Sequence, residues 1–148
     1  MRRLAAIDAL LETARQGLDR VQPANLAFEI AAGALVVDTR TIEQRRRDGE
    51  LPGAVIIDRN LLEWRLDPTC PHHIPEVTDS DCRIIIVCNE GYSSSLAAAT
   101  LRELGLELST DLVGGFQAWR QMSTQRRDRP ATSGDSLFER DADEVRKD

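Results

Sequence analysis

Arg83-Ile84-Ile85-Ile86-Val87-Cys88-Asn89-Glu90-Gly91-Tyr92-Ser93-Ser94-Ser95 is the stretch on which the reading of this chain turns. Ile84 to Val87 is a β-branched run with no polar interruption, the pattern of a fully buried strand. The run ends on Cys88, passes through a short loop containing Gly91, and enters Ser95-Leu96-Ala97-Ala98-Ala99-Thr100-Leu101-Arg102-Glu103-Leu104, which reads as a helix. A thiol at a strand's C-terminal end, facing the first turn of a helix, has a physical reason to be reactive. Unpaired N–H groups and the helix dipole favour an anion there, so thiolate is stabilised over thiol. Ligands of open α/β sheets bind at that same edge. An inert buried cysteine is the alternative, because free cysteine is among the most buried residue types.

The loop resembles the active-site loop of the rhodanese family, sulfurtransferases that carry sulfur as a cysteine persulfide. The family pattern is cysteine, two variable residues, glycine, a variable residue, then often arginine and a hydroxyl residue. Cys88, Gly91 and Ser94 fit it, and Ser93 stands where the arginine is common. Three further landmarks occur in the family's order. Val36-Val37-Asp38-Thr39-Arg40 is similar to a first core strand ending in Asp-x-Arg. Gly49-Glu50-Leu51-Pro52-Gly53-Ala54 is similar to Gly-His-Ile-Pro-Gly-Ala, with Glu50 for the histidine. Gly114-Gly115-Phe116-Gln117-Ala118-Trp119 is similar to a closing Gly-Gly-x-x-x-Trp. Each is weak alone; four in order from about Ala34 to Gln121 are specific.

The resemblance implies a three-layer α/β fold, with a central, mostly parallel sheet covered by helices on both faces. It implies Cys88 as nucleophile, taking sulfur from a small sulfane donor such as thiosulfate and passing it to a thiol or cyanide acceptor, without a cofactor or a metal. Such covalent chemistry is two-step, with ping-pong kinetics. The residue types suit it. A loop curled around sulfur, Asn89 to Ser94, can aim backbone N–H groups at a persulfide anion. Gly91 allows a positive φ or a close backbone approach. The hydroxyls of Ser93, Ser94 and Ser95 are candidate donors to the sulfur, and equally candidate helix caps. Tyr92 is read either as a wall of the sulfur pocket or as a cover for the sheet edge.

Two residues complicate the reading. A carboxylate turned toward the thiol would raise its pKa, so Glu90 is expected to face solvent or an acceptor. Without the loop arginine, the obvious docking charge for a dianion is absent. Arg40 is a candidate replacement at the same sheet edge, against the plainer reading of a salt bridge to Asp38, Glu43 or Asp58. Phosphatase chemistry, found in related folds, needs an arginine six positions after the cysteine; Ser94 stands there. A noncatalytic module for partner binding or redox sensing is the alternative to the enzyme.

At 148 residues with a formal charge of −6, the chain fits one domain with extensions and argues against nucleic acid as a partner. Lys147 is the only lysine beside many arginines. No apolar run approaches the roughly 20 residues that span a bilayer. Asp8 and Glu12 interrupt any signal-like start, so no membrane partner and a cytoplasmic location are expected. Cys70, Cys82 and Cys88 do not suggest a disulfide framework. Cys70-Pro71-His72-His73 lies among prolines and lacks a second ligand pair, and is read as an exposed loop rather than a zinc site.

The chain divides into an N-terminal amphipathic extension (1–21), the domain proper (22–122) and a polar tail (123–148). Leu4, Ile7, Leu11, Ala14 and Leu18 predict a helix from about Arg3 to Gly17 that packs on the domain, with a homodimer contact as the other use. A helix from Pro23 to Gly33 should turn Leu26 and Ile30 inward. Strands are predicted at Ala34–Asp38, Ala54–Ile57 and Thr110–Val113, and helices at Thr41–Asp48 and after Gly114-Gly115. Arg45-Arg46-Arg47 reads as a solvated face. Arg59 to Leu66 is a helical turn offering Leu61, Leu62 and Trp64 for burial, with Trp64 as a core or lid residue. The tail is expected to be disordered or docked through Leu137-Phe138.

Overall fold

In the computed structural model, which describes residues 4–128, the Ile84–Val87 run is a strand with all four residues buried. Four parallel strands form the sheet: β1 (Leu35–Asp38), β2 (Val55–Ile56), β3 (Ile84–Val87) and β4 (Thr110–Asp111), in the order β2-β1-β3-β4. Asp38 pairs with Val87 and Ile86 with Asp111, so Asp38, Cys88 and Asp111 arrive together at one C-terminal edge.

Among the described residues there are six α-helices, two before β1 and the rest alternating with the strands: α1 (Ala6–Gln16), α2 (Leu26–Ala31), α3 (Ile42–Asp48), α4 (Leu62–Leu66), α5 (Ser93–Glu103) and α6 (Gly115–Asp128). Strand side chains alternate between faces. Ile84 and Ile86 accordingly join one apolar layer with Val37, Leu62, Leu66 and Leu101. Ile85 and Val87 join the other, with Val36, Leu26, Leu112 and Phe116. Burial on both sides is what an all-parallel sheet demands, and it is why the strand sequence carries no polar position. The expected α/β architecture is present.

Local chemistry explains several boundaries. Thr41 caps α3 reciprocally with Gln44: the Gln44 N–H donates to Thr41 Oγ1 at 3.1 Å, and the Thr41 N–H donates to Gln44 Oε1 at 3.0 Å. Val21 bridges to Leu112 beside β4, its N–H donating to the Asp111 carbonyl at 2.9 Å. The segment entering the domain is thus stitched to the sheet edge.

Five expectations are corrected. Ile30 is exposed, because Pro23–Asn25 forms a separate 3₁₀ turn and the six-residue α2 buries only Leu26. Leu61 and Trp64 are exposed too: α4 buries Leu62 and Leu66, four apart, which turns Trp64 about 200° away from them. In α1 only Leu11 is buried, and Leu4 and Ile7 extend along an uncovered stripe. Arg45 is not simply solvated, since its guanidinium donates to the Arg40 carbonyl at 3.0 Å. At the other end, α6 runs through residues 123–128, which composition had assigned to the tail. Leu137-Phe138 lies outside the described residues. No helix among the described residues is long and apolar enough to cross a membrane.

Candidate active site

Cys88 leaves β3 into a loop that curls back over its own sulfur. The Gly91 N–H donates to Sγ at 3.1 Å and the Ser94 N–H, in the first turn of α5, at 3.4 Å. Gly91 makes the curl possible. Its φ is +87°, and a Cβ there would lie 2.6 Å from the Gly114 backbone nitrogen. Gly115 provides the matching surface, because a Cβ on it would meet the Cys88 carbonyl at 2.5 Å. That closeness lets the first N–H groups of α6, which have no partner within the helix, serve the loop. Phe116 N–H donates to the Cys88 carbonyl at 2.9 Å and Gln117 N–H to the Asn89 carbonyl at 3.1 Å. The Gln117 side chain adds a bond to Asn89 Oδ1 at 3.0 Å and another to Asp48 at 2.7 Å.

Because carbonyls 88 and 89 are turned out to α6, the succeeding N–H groups face the other way in their trans peptides. The N–H groups of Asn89, Glu90, Tyr92 and Ser93 find no acceptor among the described residues. With the two on sulfur, the loop therefore holds six main-chain donors, four of them without a partner among the described residues and available to an anion. Burial pushes the Cys88 thiol up; hydrogen bonding from residues 91, 93 and 94, the Ser94 and Gly91 N–H groups included, outweighs it, so its pKa lies below the ordinary thiol value. Cys82 goes the other way, raised by burial and by Asp79.

Ser94 has one hydroxyl proton and two neighbours that want it. The buried Asp111 carboxylate takes it at 2.7 Å, and takes the Ser95 proton at 2.7 Å as well. The Ser94 and Ser95 hydroxyls therefore brace the loop from below, and neither caps α5, whose N-cap is Tyr92 without a side-chain bond. This corrects the expectation of caps. Main-chain nitrogens contact Cys88 without that competition.

Cys88 is 6% exposed but lines an open cavity of about 420 Å3 with Thr39, Arg40, Thr41, Gln44, Arg59, Asn89, Glu90, Tyr92 and Ser93. Glu90 and Tyr92 are exposed at its mouth, and Tyr92 is a wall rather than a sheet-edge cover. Arg40 takes its plainer role. Its Nη2 lies 2.8 Å from Asp38 Oδ2 and 2.9 Å from the Gly49 carbonyl, and its guanidinium stacks 3.6 Å above Phe116. Its charge is matched by Asp38 and its side chain is buried, while Nη1 keeps no hydrogen-bond partner among the described residues. Arg59 lines the cavity as well, paired with Glu63 one helical turn on but 39% exposed.

Sequence reasoning missed Arg59, Asp111, Arg15 and Arg20. Asp111 did carry a signal: a carboxylate ending a strand beside the Cys88 strand must find partners when buried. Arg20 answers it, at 2.9 Å and 3.1 Å. The arginines precede the motif by many residues and had no local signal. Cys70, Cys82 and Cys88 are all free, and no cluster of three or more metal-ligating side chains occurs among the described residues.

Residues 22–122 match the model of the rhodanese-like domain. The thiosulfate sulfurtransferase GlpE of Stutzerimonas stutzeri is 32% identical over 101 residues, 68% of this chain and 84% of that protein. A 54-residue match at 44% identity to the adenylyltransferase and sulfurtransferase uba4 of Aspergillus terreus covers 32% of this chain; this chain spans only 11% of that protein. Among solved structures, a Rhodopseudomonas palustris protein of unknown function, titled a possible tyrosine phosphatase, superposes with TM-score 0.71 at 30% identity, over 83% of this chain and 96% of that one. Motif order, the main-chain donors on Cys88 and these matches agree: the chain belongs to the rhodanese-like family.

Proposed function

We propose that the protein is a sulfurtransferase that carries sulfane sulfur as a persulfide on Cys88. The observation that carries the reading is a thiol of lowered pKa that accepts from the Gly91 and Ser94 N–H groups and lines an open cavity. These donors suit the anion Cys88–S–S⁻ better than a neutral thiol. With thiosulfate as donor, the Cys88 thiolate attacks the outer sulfur, the S–S bond of thiosulfate breaks, and sulfite leaves with the bonding pair. A thiolate or cyanide acceptor then attacks the terminal persulfide sulfur and releases the Cys88 thiolate. Asn89 to Ser94 form the cradle, and Asp38 with Arg40 support its floor.

Intact mass after incubation with thiosulfate tests this. A gain of one sulfur atom, removed by reductant and absent in Cys88→Ser, is the expected result. Sulfur transfer that survives Cys88→Ser overturns the mechanism. No gain with any sulfane donor favours a noncatalytic module that binds a partner or senses redox state, a reading encouraged by Glu90 at the mouth and by the engaged charge of Arg40. Phosphatase chemistry is disfavoured, because position 94 carries a serine committed to Asp111 instead of an arginine for phosphate oxygens.

A further inference from the structure

The Gly91 carbonyl, at the turn of the loop, receives two guanidinium groups. Arg15 Nη2 donates to it at 2.8 Å and Arg20 Nη2 at 3.0 Å. Both residues precede the region that matches the family domain. Arg20 is set by the Val21–Leu112 bridge and shares its charge with buried Asp111. Arg15 reaches down from α1, and its Nε donates to Ser95 Oγ at 3.0 Å while its guanidinium lies 5.7 Å from the Tyr92 ring. No carboxylate among the described residues lies within salt-bridge distance of it.

We propose that Arg15 is a positioning residue for the Cys88 loop, holding the Gly91 carbonyl from α1 on the side away from the cavity. The argument is geometric. A trans peptide points its C=O and the next N–H in opposite directions. Holding the Gly91 carbonyl outward on two cations aims the Tyr92 N–H inward, toward the sulfur side of the loop. The same guanidinium orients the Ser95 hydroxyl, which donates a hydrogen bond to Asp111 beside the one from Ser94. Its charge also favours an anion on the loop. The other charges facing Cys88 are already matched or lie at the mouth: Arg40 with Asp38, Arg59 with Glu63, Arg20 with Asp111, and Glu90 exposed. On this reading α1 is part of the site's machinery, and its packing on α5 delivers Arg15.

The inference rests on Cys88 being the reactive thiol of the sulfur-transfer site, and its test is read without sulfur transfer. In the full chain, the rate of Cys88 alkylation by iodoacetamide is followed against pH by peptide mass, beside the melting temperature. Arg15→Ala and Arg15→Gln are expected to slow alkylation at neutral pH by about tenfold and to move the profile to higher pH. Arg15→Lys keeps the charge and one bond and is expected to stay within about threefold. Thiosulfate turnover, where present, should fall through kcat with KM little changed. An unchanged Cys88 profile in both Arg15→Ala and Arg15→Gln overturns the proposal. So does a slowing that Arg15→Lys fails to relieve while restoring the melting temperature. If all variants alkylate as expected but no persulfide ever forms, the positioning role stands and the sulfurtransferase reading falls.

Discussion

Cys88 and Cys82 sit at opposite ends of one strand, and their surroundings push their thiols in opposite directions. Cys82 is partly buried near Asp79 and has no N–H donor to its sulfur among the described residues, so its ionisation is suppressed. Cys88 is more deeply buried, yet hydrogen bonds to its sulfur prevail over desolvation. Thiolate fraction rises with pH, so the thiol of lower pKa reaches full reactivity first. Peptide-resolved alkylation followed against pH should therefore reach its midpoint at lower pH for Cys88 than for Cys82. Arg59 offers a second residue-level expectation. As the cavity cation not locked into the core, it is placed to meet an anionic donor. Arg59→Ala should raise KM for thiosulfate by about tenfold, the worth of one charge-assisted contact near 1.4 kcal/mol. Cys88 alkylation by a neutral reagent should be unaffected.

The loop works as an element because two others hold it. The Gly114-Gly115 pair lets α6 come close enough for the Phe116 and Gln117 N–H groups to donate to the Cys88 and Asn89 carbonyls, and the first turn of α5 places the Ser94 N–H on the sulfur. A side chain at Gly91 would strike the Gly114 backbone from a conformation that L residues avoid. Gly91→Ala should cost roughly 3 kcal/mol or more in chemical denaturation, and the surviving folded protein should show slower Cys88 alkylation. The Gly-Gly-x-x-x-Trp motif was legible in sequence, but its reason was not. Which carbonyls the helix amides would serve depends on a contact between segments about 25 residues apart.

At the scale of the molecule, Asp111 collects Arg20, Ser94 and Ser95 beneath the loop and joins the N-terminal segment, β4 and α5. Removing its counter-charge leaves a buried carboxylate with hydroxyl donors alone. Arg20→Ala should lower folding stability by roughly 3 kcal/mol in denaturant titration, far more than loss of an exposed pair such as Arg47–Asp48. The depressed Cys88 pKa also couples folding to pH. An acid whose folded pKa is lowered adds stability as pH rises from the folded toward the unfolded value, and that stability is lost as pH falls through the folded value. Cys88→Ser should flatten this part of the stability curve.

The strand run, the glycine punctuation and the four ordered motifs determined the α/β class and singled out Cys88, because such signals live in neighbouring residues. Burial on both sheet faces shows as unbroken apolar runs, and tight turns show as glycine. Trp64 and Ile30 were misjudged because helix phase, not hydrophobicity, decides which side chain reaches the core. Only tertiary structure decided that Arg40 is a strut, that Arg59 reaches the cavity, and that Arg15 and Arg20 converge on Gly91. Long-range partners of a charge are chosen by how packed elements bring distant segments together, and no local pattern records that choice.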